Sequence, residues 1–265
     1  MITVNIDGVG VIAPGLLGWS SGVSVLRGAA PYAATECEPP PPATLNPRER
    51  RRVSAVVRLA LAAADDACGH ATTPPTELSS VFASSLGDSI LLNSLLTALA
   101  DPNGKVSPTQ FHNSVHNAAA GYWTIGTGNQ QSCTSIAAHD FTFAMGLLKA
   151  AVQSASERRS VLLTVFDHPF PEPLNQARPL LAPFAAGIVM TDGNGPSSGL
   201  GRLSIQLAID ATATPPRTLA LRDLWTANPA ARALPLLEVI ALKEPAELYI
   251  ESGDDQCLRL DYSPR

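Results

Sequence analysis

Two hydrophobic rhythms run along this chain. Ile2–Ala13 (ITVNIDGVGVIA) alternates apolar and polar residues up to Pro14-Gly15, which predicts a first strand ending in a turn. Gly8 and Gly10 within it predict a bulge or a close backbone approach. Trp19 and Leu26 fit a short helix over that strand. The run Pro39–Pro42 predicts a loop over 31–47, because consecutive prolines supply no N–H donors. Val53, Val56, Val57, Ala60, Leu61 and Ala64 then recur at helical spacing. They predict one long helix from Arg48 to Cys68, with Pro47 at its first position and Gly69 as its stop. Leu78–Ser84 reads as a short buried strand, and Gly87-Asp88 opens a helix that stops at Asp101-Pro102.

The stretch Ser107–Ala151 is the centre around which the other elements arrange. It predicts a Pro-started helix bearing His112 and His116, a Gly-containing turn, a short strand Thr134–Ala138 and an apolar helix opening at Asp140. Ser160–Phe166 and Ala185–Thr191 are β-branched and apolar, as in a sheet covered on both faces, and a Pro-rich loop over 169–183 joins them. Leu203–Ala211 alternates as another strand. Leu219–Leu242 reads as helical, interrupted at Asn228-Pro229 and Leu234-Pro235. Glu247–Glu251 and Cys257–Tyr262 flank Ser252–Asp255 as a hairpin. This order predicts an α/β fold: a mixed β-sheet covered by helices, with a C-terminal β-hairpin.

Composition narrows the reading. Of 265 residues, 45% are apolar and 15% charged, enough for a large core and sparing in groups that solvate a monomer's surface. That balance favours a partnered state. The net charge of −5 comes with one basic cluster, Arg48–Arg52 with Arg58, which reads as the solvated start of a helix rather than a nucleic-acid patch. No apolar run approaches the roughly 18 residues that span a bilayer, and Met1–Asn5 lacks the marks of a secretory leader. Cys37, Cys68, Cys133 and Cys257 are far apart, with no metal-ligand spacing. A soluble, cytoplasmic chain with reduced thiols is expected.

Candidate chemistry is sparse. His112 and His116 stand at i, i+4, a spacing that puts two imidazoles on one helix face, but HNSVH lacks the glutamate of a zinc-protease motif and no third ligand is evident. Ser84 and Ser85 lie near a Leu-Gly-Asp-Ser run without the GxSxG of a nucleophile elbow. Gly126-Thr127-Gly128 follows a helix and lacks GxGxxG. Cys133 precedes its strand and reads as a small hydrophobe. Asp140, at the head of an apolar helix, reads as an N-cap that can also face a cavity or a partner.

In combination, Phe111–Gly121 (FHNSVHNAAAG), Thr124–Gly128 (TIGTG), Ser135–Asp140 (SIAAHD) and Gly8–Gly15 (GVGVIAPG) resemble the N-terminal half of β-ketoacyl synthases. The likeness is nearest to the short chain length factors of aryl polyene and xanthomonadin-type pigment clusters. It implies a thiolase-like fold: a single half domain over 1–265, with a ketosynthase-like core over about 1–193 and a divergent extension over 194–265. In such synthases the strand–helix junction carries the acyl-accepting cysteine, and on this likeness that place falls to Asp140. A carboxylate accepts hydrogen bonds and cannot exchange thioesters as a thiolate does. No histidine follows His168 and the residues after Gly193 are too few for a second thiolase half, so self-sufficient condensation is not expected.

The resemblance therefore implies a non-catalytic subunit, without cofactor or metal. It would pair with a catalytic β-ketoacyl synthase and shape the acyl tunnel while a chain on an acyl carrier protein is elongated. Interface or tunnel candidates are Phe111, His112, His116, Asn117, Tyr122, Trp123, His139, Asp140, Phe141 and Phe143, with Met145 beside them. Two alternatives stay open: a stand-alone acyl-transfer or malonyl-decarboxylating enzyme using His139 and Asp140, or Cys133, and a homodimeric acyl or carrier-protein binder.

Overall fold

The computed structural model describes residues 1–195 and 199–265. Its strands are β1 (Ile2–Ala13), β2 (Leu16–Leu17), β3 (Ser79–Ala83), β4 (Cys133–Ile136), β5 (Val161–Asp167), β6 (Phe184–Asp192), β7 (Gly201–Ile209), β8 (Ala246–Gly253) and β9 (Gln256–Pro264). The helices are α1 (Trp19–Leu26), α2 (Pro47–Arg50), α3 (Ala55–Gly69), α4 (Ser89–Ala100), α5 (Pro108–Asn113), α6 (Ala118–Thr127), α7 (Thr142–Glu157), α8 (Leu174–Ala177), α9 (Arg222–Ala227) and α10 (Leu234–Leu242). Single 3₁₀ turns join several of them.

The strands form one mixed sheet in the order β4-β3-β5-β6-β1-β7-β9-β8, with β2 folded onto the end of β1. β4, β3 and β5 run parallel, and every other pairing is antiparallel. The expected mixed sheet, its hairpin and both apolar central strands are present. All of β5 and residues 184–190 of β6 lie buried because helices cover both faces.

On one face α3 and α6 pack with Phe82, Leu162, Phe166 and Val189. The other face buries α7, α10 and α1 with Val9, Leu163, Ile188 and the inward residues of the hairpin, Leu248, Ile250, Leu258 and Leu260. Helix α7 touches β1, β3, β5 and β6 and also β8, so the far end of the sheet turns back over the helices it carries.

Glycine sets how closely α3 approaches. A side chain at Gly187 would place its Cβ 2.4 Å from the Ala63 carbonyl oxygen, and at Gly8 2.3 Å from that of Ala67. Both roles expected of the β1 glycines occur, since the β1–β6 register also shifts between Ile6 and Gly8.

The helix expected from Arg48 to Cys68 is two. Asn46 caps α2, its Oδ1 accepting from the Arg48 and Glu49 amides at 3.0 Å, and Pro47 holds the first position as anticipated. Ser54 then starts α3 afresh, its hydroxyl accepting from the Val57 amide at 3.2 Å. A second capping residue within the apolar periodicity outcompeted continuation. The loop over 169–183 holds one turn of helix, α8.

Candidate functional site

Parallel pairing of β4, β3 and β5 brings their carboxyl ends together, the place where open α/β sheets bind ligands. Ser84 and Ser85 leave β3, the 3₁₀ turn His139–Phe141 leaves β4, and Asp167 ends β5.

Asp167 is wholly buried. Its Oδ1 accepts from the Ser84 hydroxyl (3.0 Å), the Ser85 hydroxyl (2.8 Å) and the Ser85 amide (2.8 Å), while Oδ2 has no partner among the described residues. Burial pushes its carboxyl up to about 6, against the pull of the three donors and the Arg178 charge. Both serine hydroxyls donate to this one buried carboxylate oxygen. Ser84 Oγ also accepts from the Gly87 amide at 2.8 Å.

His116 points into the same strand end, its Nε2 donating to the Ser84 carbonyl at 3.0 Å. His112 stands edge-on to Tyr122, ring centres 6.3 Å apart, on a surface groove with Glu49 and Arg52. The two histidines do not share a helix face. Helix α5 ends at Asn113, because Ser114 turns its hydroxyl back onto the Phe111 carbonyl and His116 falls in the link to α6. Gly128 is the left-handed cap of α6, φ 67°, which accounts for the Gly126–Gly128 pair without a phosphate.

The junction after β4 differs from the reading of Asp140 as an N-cap. Helix α7 begins at Thr142 with Phe141 at its N-cap position and no side-chain cap, and the Thr142 hydroxyl braces the turn before the helix, accepting from the Ala138 amide at 3.1 Å and donating to the His139 carbonyl at 2.7 Å. Asp140 turns away: Oδ1 accepts from Arg178 Nη2 at 2.5 Å and Oδ2 meets His139 Nδ1 at 3.1 Å. A guanidinium delivered from the connection after β5 outcompetes neutral helix amides for the carboxylate. Partial burial raises the Asp140 carboxyl, but the Arg178 hydrogen bond and the charges of Arg178, His139 and Arg232 more than offset it, leaving it below the ordinary range.

The strained residue at the junction is His139, φ 51°, one place before the residue to which the resemblance assigns the cysteine's position. A sharp strand-to-helix turn of this kind presents a nucleophile in hydrolytic folds. Here it presents an exposed imidazole beside a carboxylate, a base and its orienter with no hydroxyl or thiol between them. Cys133 is at the other end of β4, half-buried, with burial raising its thiol.

The remaining candidates divide. Trp123 and Phe143 are fully buried core residues on opposite faces of the sheet, and Tyr122 is buried with its hydroxyl donating to Asn113 at 2.9 Å. Phe141 and Met145 are half-buried, and Phe111 and Asn117 are exposed. Sequence reasoning missed Arg178 and Arg232, each brought in from a loop or turn remote in the chain. It noted Ser84 and Ser85 without their partner Asp167.

Beside this site lies an uncovered apolar surface. Helix α4 (SILLNSLLTALA) gathers its leucines opposite Ser89, Asn93, Ser94 and Thr97, yet only Ser89 and Leu95 are buried, and Leu96 and Leu99 are 56% and 69% exposed. Phe111 of the neighbouring α5 is 67% exposed. Strand β4 is an edge strand, paired only with β3 among the described residues. No helix among the described residues is long and apolar enough to cross a membrane.

Comparison with known proteins agrees with this architecture. The structure is similar to a ketosynthase (ApeO) in complex with its chain length factor (ApeC) from Xenorhabdus doucetiae, at 22% identity and a TM-score of 0.75, covering 98% of this chain and 100% of that one. It is also similar to the ishigamide ketosynthase/chain length factor (13% identity, TM-score 0.75, 100% and 99% covered). A third likeness is to AntDE:AntF, a type II polyketide synthase acyl-carrier protein in complex with its ketosynthase (12% identity, TM-score 0.76, 100% and 99% covered). The class is thus a ketosynthase-like, thiolase-type α/β fold. The family model "Beta-ketoacyl synthase, N-terminal domain" matches residues 26–227, and the chain belongs to that family. No curated protein matches the sequence.

Proposed function

We propose that this chain is a non-catalytic, chain-length-factor-like subunit that pairs with a catalytic β-ketoacyl synthase and walls the cavity in which an acyl-carrier-protein-bound chain grows. The carrying observation is the β4–α7 junction. It keeps the strained turn of a nucleophile-bearing fold, but holds His139 and a carboxylate clamped by Arg178 in place of a thiol. Such a carboxylate, its charge held by Arg178, is a poor substitute for a thiolate in thioester exchange. We take the whole chain as one working unit, its hairpin continuing the sheet that bears the junction.

The uncovered face supports the pairing. A leucine-rich helix face left bare in water is stabilised when a partner covers it, and an edge strand with free N–H and C=O groups can be extended by a partner's strand. Leu96, Leu99 and Phe111 with the β4 edge form the face assigned to the ketosynthase subunit. The test is co-expression with the cognate ketosynthase. A one-to-one complex is expected, and Leu96→Glu should abolish it while leaving this chain's circular dichroism unchanged. Failure to co-purify, or turnover of acyl or malonyl thioesters by this chain alone that is lost in Asp140→Ala, overturns the reading.

A further inference from the structure

A cavity of about 200 Å³ adjoins the junction, lined in part by Asp140, Phe170, Arg178, Leu180 and Arg232. Both arginines are largely buried and sit over aromatic rings: the Arg178 guanidinium is 5.4 Å from the Phe170 ring centre and that of Arg232 is 4.4 Å from that of Trp225. Stacking leaves the edge of a guanidinium, where its donors lie, free to bond. Arg178 gives one Nη2 hydrogen to Asp140.

Arg232 is poorly satisfied. Its Nη2 reaches the Thr226 carbonyl at 3.5 Å and Glu251 at 3.8 Å, and its Nε is buried with no partner among the described residues. A buried charged donor without an acceptor is costly, and native structures rarely keep one unless something else fills it. Among the lining residues two cations face one carboxylate.

We propose that this cavity binds a small carboxylate or phosphate monoanion between Arg178 and Arg232, with Asp140 as the resident competitor for Arg178. The Arg232 fork offers its two Nη groups to one anion in the paired geometry that suits both chemistries. The volume equals that of roughly six or seven liquid waters, enough for an anionic head group and too small for a long acyl chain. This inference rests on residues of this chain alone and does not depend on the ketosynthase pairing.

The test is titration calorimetry of the full chain with sodium acetate and with inorganic phosphate, against sodium chloride at matched ionic strength. Saturable binding of one anion per chain is expected. A tighter phosphate arm points to a phosphate ester as the natural ligand, and a tighter acetate arm to a carboxylic acid. Arg232→Gln should weaken binding at least tenfold and Arg232→Lys, which keeps the charge but loses the fork, at least fivefold. Asp140→Asn should tighten it at least threefold. The exposed Arg202→Gln should leave it unchanged. If Arg232→Gln loses its native circular dichroism, the lysine variant decides. The proposal is overturned if chloride gives the same response, if Arg202→Gln weakens binding as much as the Arg232 variants do, or if Asp140→Asn weakens it.

Discussion

Replacing Asp167 by Asn isolates the cost of keeping a carboxyl in the core. Oδ1 is hydrogen-bonded three times and Oδ2 is bare, so the amide keeps the bonded oxygen and puts an NH2 where the second oxygen was. Burial raises the folded-state carboxyl from 3.8 to about 6. Well below pH 3.8 the acid is protonated whether the chain is folded or unfolded. Between the two values the unfolded chain releases its proton and the folded chain holds it, so stability falls by about 1.4 kcal/mol per pH unit. The whole loss is about 3 kcal/mol, complete above the folded value, and the Asn variant does not suffer it. Asp65 and Asp66 are also raised by burial, and they cancel in the difference between the two proteins. Urea unfolding followed by circular dichroism at pH 4, 5, 6 and 7.5 measures that difference. The variant should gain about 2.5 kcal/mol on the native chain from pH 4 to pH 7.5, nearly all of it by about pH 6.5. A flat difference refutes the reasoning. A difference of opposite sign means that Arg178 and the serine donors outweigh burial.

Other substitutions probe the frame around the site. Gly187→Ala puts a methyl group against the Ala63 carbonyl oxygen, and should lower unfolding stability by about 1–3 kcal/mol as α3 is pushed off the sheet. Gly69→Ala, where nothing lies within 4 Å, should stabilise the chain by a few tenths to about 1 kcal/mol in the same measurement. Ser54→Ala removes the cap that starts α3 and should cost about 1 kcal/mol. Ser54→Asp should recover most of that loss.

What could be read in the sequence was local. The alternation of Ile2–Ala13, the apolar runs of β5 and β6 and the Ser252–Asp255 turn each act within a few residues, and all appear where expected. The long helix was misjudged because apolar periodicity carried through Val53, while the break depended on one hydroxyl at Ser54. The site was legible in kind but not in its bonds. Asp140 was placed correctly at a strand–helix junction, and its role as a cap failed because Arg178 arrives from 38 residues away. Asp167 acquires its meaning only when the β3–β5 register sets it beside Ser84 and Ser85, a pairing that no local pattern announces. The likeness of residues 111–140 to ketosynthases supplied the family, which periodicity alone would not have reached.

Helix α4, apolar and largely uncovered, bears on the life of the chain before any complex exists. A protein made faster than its covering partner carries Leu96, Leu99 and Phe111 into a crowded cell bare. Such surfaces are what chaperones hold and proteases clear, so surplus copies are expected to be short-lived. On the proposed pairing, abundance is set by the scarcer of the two chains, and balanced production of both is imposed by the surface itself without a dedicated regulator.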